Sequence, residues 1–182
     1  MDMFPTVVAV CSSFSHSIAK APKTSISLIA GLGVEGDVHL GRTTQHLYLA
    51  KKDPTRTNLT QVHLLHAELH DFLNNAGFDI SPGLMGENIT TRGIDLMGLP
   101  LGTRLNLGKI AILQVTGFRE PCSKLNRLRP GLMKASFMRD PGDRVVPNAG
   151  IMGIVIRGGL VSPGDTIKIN LPDEPHQPLP PV

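Results

Sequence analysis

The sequence predicts a mainly β domain: a barrel of short strands with one or two short helices. Three observations carry this. With 19 Gly and 15 Pro in 182 residues the chain is turn-rich, while 41% hydrophobic content excludes wholesale disorder. Several runs that are β-branched or leucine-rich recur along it, each bounded by Gly, Pro or Asp. Two of them, 100–107 and 162–169, share one plan, a glycine turn entering an alternating strand. Many short strands at regular spacing suggest closure, because closure removes exposed edges. The length suits one domain with a sizeable core, assigned to residues 1–170.

In chain order the strands are expected at 6–11, 25–30, 87–91, 104–107, 110–116, 151–156 and 166–169. Val62, Leu65, Leu69, Phe72, Leu73 and Ala76 follow helical spacing, and Gly77 stops it. The start of that stretch, 61–65, reads equally well as a strand leading into a shorter helix. A second helix is expected over 131–138. Residues 41–60 form a long polar segment with Arg42, Lys51, Lys52 and Arg56. Loops of that length are usually functional or mobile, and this one is expected to close over a ligand. The Pro-rich segment 171–182 is expected to be extended and disordered.

Composition narrows the function. No Trp, one Tyr and six Phe argue against stacking on nucleic-acid bases, and a net charge of only +3 does not call for such a partner. Two cysteines do not make a disulfide scaffold, and Cys11, ending the run 7–10, reads as a core residue. Asp2 near the start, no early Lys or Arg and a short apolar stretch speak against a signal peptide. No stretch approaches the roughly 20 apolar residues of a membrane span. The expected location is cytoplasmic.

The chemistry concentrates at 117–126. Cys122 follows Pro121 at the end of an apolar run, with Arg119 and Lys124 on either side. A thiol acts as nucleophile, sulfur carrier or metal ligand as thiolate, and adjacent cations favour that form. From Arg119 to Arg144 seven Lys/Arg face three acids, a net +4 that suits an anionic ligand. Asp37 and His39, in the Gly-rich turn 33–39, either orient a ligand or cap the turn. Asn88, Thr90 and Arg92 offer donors and acceptors to a polar ring or a phosphate. The competing reading has Glu87 and Asn88 pairing inside the barrel. His63, His66 and His70 read as a polar helix flank rather than a zinc site, and no serine sits in a nucleophile-elbow context.

Taken in order, segments 33–39, 82–96, 101–108, 116–126 and 150–155 resemble the MOSC domain, named for the C-terminal part of molybdenum-cofactor sulfurase. The resemblance runs from about Val7 to Ile169. It implies a β-barrel that binds molybdenum cofactor (molybdopterin), with Cys122 either a thiolate ligand to molybdenum or the carrier of a persulfide. It further implies Arg119, Lys124 and Arg92 on the anionic phosphate and dithiolene end, and Asn88 and Thr90 on the pterin. It places the turn with Asp37 and His39 near the site. In stand-alone relatives the implied chemistry is two-electron reduction of N-hydroxylated small molecules, with an electron-donor protein as partner. In the sulfurase the barrel is fused to a pyridoxal-phosphate desulfurase, for which 182 residues leave no room. Two alternatives stand beside the reductase: a non-catalytic sulfur or cofactor carrier served by a desulfurase, and a basic barrel binding RNA or protein, supported by charge alone.

Overall fold

Alternating apolar positions and frequent turns give thirteen strands and four helices in a computed structural model describing residues 4–182; Asp2, part of the leader expectation, lies outside the described residues. Along the chain run β1 (Thr6–Ser12), β2 (Ala21–Lys23), β3 (Ile26–Ile29), β4 (Gly33–Val34), α1 (Leu47–Lys52), β5 (Val62–His66), α2 (Ala67–Asn75) and β6 (Ile89–Arg92). There follow β7 (Arg104–Leu107), β8 (Ala111–Phe118), α3 (Leu125–Leu128), α4 (Leu132–Ala135), β9 (Phe137–Arg139), β10 (Val145–Pro147), β11 (Ile151–Arg157), β12 (Gly159–Val161) and β13 (Ile167–Asn170). All seven expected strands are found, within two residues at each end.

The expected closed barrel is not. The main sheet has eight strands in the order β13-β7-β8-β11-β5-β6-β1-β2 and is open; β12-β3-β4 and β9-β10 form two smaller sheets. Its two ends do approach one another. Thr6 bridges Thr166, and Val7 N donates to Asp165 O at 2.8 Å. No ladder follows, because β2 already covers the far half of β1, pairing Val10–Ser12 with Lys23–Ala21. Closure therefore stops at one bridge.

Every pair in the main sheet is antiparallel except β5 with β6. That parallel pair needs a crossover, and α2 supplies it, burying Ala67, Leu69, His70 and Leu73. So the strand-then-shorter-helix reading of 61–76 holds, and His63 and His66 lie on β5 rather than on a helix. The second expected helix shrinks to the single turn α4. Two apolar clusters form the core. The larger lies among the strands, with Val10, Leu64, Leu105, Leu113 and Ile151 fully buried. The smaller joins Leu65, Leu69 and Leu73 to Met85, Leu125 and Leu132. It thereby fixes α3, just after Cys122, against α2.

The 171–182 segment, expected to be disordered, lies along β8. Strand β7 is shorter than β8 and leaves Gly117 and Phe118 unpaired on that side. The segment fills the gap: Phe118 N donates to Pro180 O at 2.9 Å and Val182 N to Phe118 O at 3.2 Å. Leu179 packs on the larger core cluster. Among the described residues no helix is long and apolar enough to cross a membrane.

Candidate functional site

The loop between β1 and β2, the starts of β5 and β11 and the segment after β8 line a cavity of about 420 Å³. Its wall holds both residues the sequence singles out most strongly, Cys122 and Arg119, together with His39, Asn88 and Lys124. The cysteine is half-buried, whereas Cys11, on β1 of the main sheet, is fully buried. Burial, reinforced by the negative charge of Glu87, pushes the Cys11 thiol up to about 12. The two cysteines thus live in opposite surroundings.

Arg119 is held by the turn 81–86. Gly83 and Gly86 both have φ near +90°, and a Cβ on Gly86 would strike Ile18 O. Glycine is required there. The turn aims Met85 O at the guanidinium, which donates to it from Nη1. The remaining N–H groups of Arg119 have no protein acceptor among the described residues, and the residue lines the cavity. Burial draws its pKa down, while the nearby Cys122 and Glu87 pull it back up. A guanidinium so placed has N–H groups free to bind an anion.

Asp37 is a hub directly behind the cavity residues His39, Lys20 and Asn88. Its side chain is fully buried and accepts from Lys20 Nζ (2.9 and 2.7 Å), Asn88 Nδ2 (3.0 Å), Ser13 N (3.1 Å) and His39 N (3.0 Å), with His39 Nδ1 at 3.2 Å. Burial alone would raise its pKa, but the bonds from His39 and Lys20 hold it well below the usual carboxylate range. Burial lowers the Lys20 pKa, while the charge and hydrogen bond of Asp37 pull it back up. Lys20 has no signal in the sequence; it follows an apolar pair with no motif around it.

Asn88 ties this hub to the sheet. Its amide donates to Cys11 O at 3.1 Å as well as to Asp37, and accepts from His63 N at 3.2 Å. Both amide protons and the carbonyl oxygen are therefore engaged within the protein. Behind it, Glu87 takes Gly83 N (2.7 Å) and lies 3.2 Å from His70 Nε2. His63 donates from Nε2 to Ala149 O (2.8 Å), and burial, with Arg119 adding to it, lowers its pKa to about 3. It stays neutral. Among the described residues no group of three His, Cys, Asp or Glu is arranged to hold a metal ion.

The family's sequence profile, the MOSC domain, matches residues 36–168. The chain belongs to the MOSC domain family. Among solved structures, the YuaD protein from Bacillus subtilis superposes with a TM-score of 0.73 at 21% identity, covering 94% of this chain and 98% of that one. YiiM from Geobacillus stearothermophilus gives 0.61 at 19%, covering 97% and 78%. YiiM from Escherichia coli gives 0.61 at 21%, covering 96% and 73%. At such identities the likeness is one of fold. No curated protein matches the chain. MOSC domains are associated with molybdenum-cofactor binding.

Within this MOSC domain the expected site residues divide. Cys122, Arg119, Lys124, His39 and Asn88 reach one cavity, with Asp37 directly behind. Thr90 and Arg92 do not line it. Thr90 is fully buried, donating to Glu87 Oε1 at 3.3 Å, and Arg92 pairs with Asp71 at the surface, 2.9 Å away. Besides Lys20, sequence reasoning missed His16 and His46, which line the cavity beside His39. They stand 23 and 7 positions from His39 in loops, and no periodicity connects them. The 41–60 loop is pinned at its base, where Asn58 Nδ2 donates to His39 O and Gly41 O (2.9 Å each). Its tip, α1, buries no residue, and Leu47 and Leu49 line the cavity.

Proposed function

We propose that this MOSC domain binds molybdenum cofactor in the Cys122 cavity and works as a reductase of N-hydroxylated compounds. One observation carries the reading: a half-buried thiol shares a cavity with a guanidinium whose free N–H groups have no protein partner among the described residues. That donor set fits the cofactor, which brings a phosphate and a thiol-binding metal. When bound, the cofactor would supply the two electrons of the reduction. Cys122 would ligate the metal as thiolate. Arg119, fixed by Met85 O, and Lys124, on the exposed rim, would hold the phosphate end through charge-assisted bonds. Asn88, whose amide is engaged within the protein, would support the wall rather than contact the pterin. The exposed apolar residues of α1 would shield the substrate from water.

The deciding experiment is metal and phosphorus analysis of protein made in a cofactor-producing host. The expected result is near-stoichiometric molybdenum and phosphorus in the wild type, none in Cys122→Ala or Arg119→Glu, and turnover of an N-hydroxylated amidine or purine with an artificial electron donor. Bound cofactor with no turnover, and a persulfide on Cys122 by mass spectrometry, would instead identify a carrier.

A further inference from the structure

We propose that His39 is the proton donor of this site, held in place by Asp37; the inference rests on the reductase reading above. Reducing an N–OH group to N–H takes two electrons and two protons and releases water. Hydroxide is a poor leaving group, so the departing oxygen must be protonated as the N–O bond breaks. The cavity that holds Cys122 also holds a residue arranged for that.

His39 Nδ1 lies 3.2 Å from Asp37 Oδ1, so Nε2, on the other side of the ring, is left without a protein partner among the described residues. The ring lines the cavity and its side chain keeps 30% exposure. Its backbone is fixed from both sides, the N–H by Asp37 Oδ1 and the carbonyl by Asn58 Nδ2. Asp37 is itself immobilised by Lys20, Asn88 and Ser13. A carboxylate on one ring nitrogen sets the tautomer and stabilises the imidazolium while the other nitrogen handles the proton. Lys20, bonded to both Asp37 oxygens, holds in place the carboxylate that orients the ring. The other ionisable groups facing this point are His16, edge-on at 5.9 Å between ring centroids, and His46 and Lys124, which line the same cavity.

The balanced step is as follows. The proton on His39 Nε2 passes to the hydroxyl oxygen, the N–O bond breaks with uptake of the two electrons from the reduced cofactor, and water departs. The nitrogen takes the second proton from solvent, and solvent also reprotonates His39. An external electron-donor protein restores the cofactor.

The test uses His39→Gln, because an Asp37 variant would also release Lys20. In the empty protein, nitrogen-15 NMR of the histidine rings should show neutral His39 as the Nδ1–H tautomer; an Nε2–H tautomer overturns the proposal. In cofactor-loaded protein, His39→Gln should keep wild-type molybdenum content and melting temperature while kcat falls roughly 10²–10⁴-fold, and the limb of the pH–rate profile on which activity is lost as pH rises should disappear. Lost molybdenum in this variant would make His39 a cofactor-holding residue, and unchanged kcat would make it a spectator; either overturns the proposal and leaves the reductase reading standing. A loaded wild type that turns over no N-hydroxylated compound would sink the reductase reading and, with it, the proton step.

Discussion

Lys20 Nζ meets both carboxylate oxygens of Asp37, and the two side chains are 4% and 0% exposed. The pair joins the turn at 33–39 to the loop leading from Ser17 to β2, and so determines where His39 and Asn88 stand. Removing one member of such a pair leaves a charge buried without compensation, which costs about 3–5 kcal/mol. Lys20→Met is therefore expected to lower the melting temperature by roughly 6–20 °C. In Lys20→Met/Asp37→Asn part of that loss should return, since no bare carboxylate remains. A loss below about 1 kcal/mol in the single variant would mean that water already reaches the pair.

The two cysteines should separate cleanly by reactivity. Cys11 is fully buried with its thiol pushed up to about 12, while Cys122 lies on the cavity wall. Iodoacetamide on the native protein is expected to label Cys122 alone, and both only in denaturant. Cys11→Ala should cost about 1–2 kcal/mol of stability and Cys122→Ala less than about 0.5. Labelling of Cys11 under native conditions would show that the sheet beside Gly83 opens.

Much of this was legible in the sequence, and the misses have physical causes. Strands such as Arg104–Leu107 announced themselves by alternation between turns, and Cys122 by its proline and cations. Asn88 was recognised as polar and important, but its neighbours come from Cys11 and His63, 77 and 25 positions away, so whether its amide faced a ligand or the protein could not be read from spacing. Arg92 ended outside the site because Asp71, on α2, lies close enough to pair with it. Barrel closure failed on a similar contingency: the three-residue β2, which contains Pro22, takes the edge of β1 that β13 would have needed.

His63 makes stability depend on pH. Its folded pKa, about 3, lies below the value of about 6.5 for an unfolded histidine. Between those values the unfolded chain binds a proton that the native state does not, so stability is full above about pH 6.5 and is lost as pH falls. From pH 7.5 to 5.0 His63 alone should remove about 2 kcal/mol. Burial lowers His66 and His46 as well, and both act with the same sign. Asp37, also depressed, contributes only below about pH 4, outside this interval. Urea unfolding at the two pH values should show the loss, reduced by about 2 kcal/mol in His63→Gln. An equal loss in both proteins would mean that His63 is protonated in the native state.

The 171–182 segment tests how much a proline-rich strap can hold. Proline has no N–H to donate but keeps its carbonyl, and its fixed φ suits an extended edge. Here Pro180 O accepts from Phe118 N, Leu101 N donates to Gln177 O at 2.9 Å, and Leu179 reaches the core. Gly117 faces the strap so closely that a Cβ there would strike Pro180 O and Val182. Two or three net hydrogen bonds and one partly buried leucine stabilise by about 2–4 kcal/mol, less the cost of ordering the strap. Truncation after Leu171 is expected to lower the melting temperature by several degrees and to raise the exchange rate of the Phe118 amide. Gly117→Val should displace the strap and reproduce that exchange without shortening the chain. Val182 lines the Cys122 cavity, so both changes should also speed alkylation of Cys122. An unchanged melting temperature together with unchanged Phe118 exchange would show that the strap contributes nothing to the fold in solution.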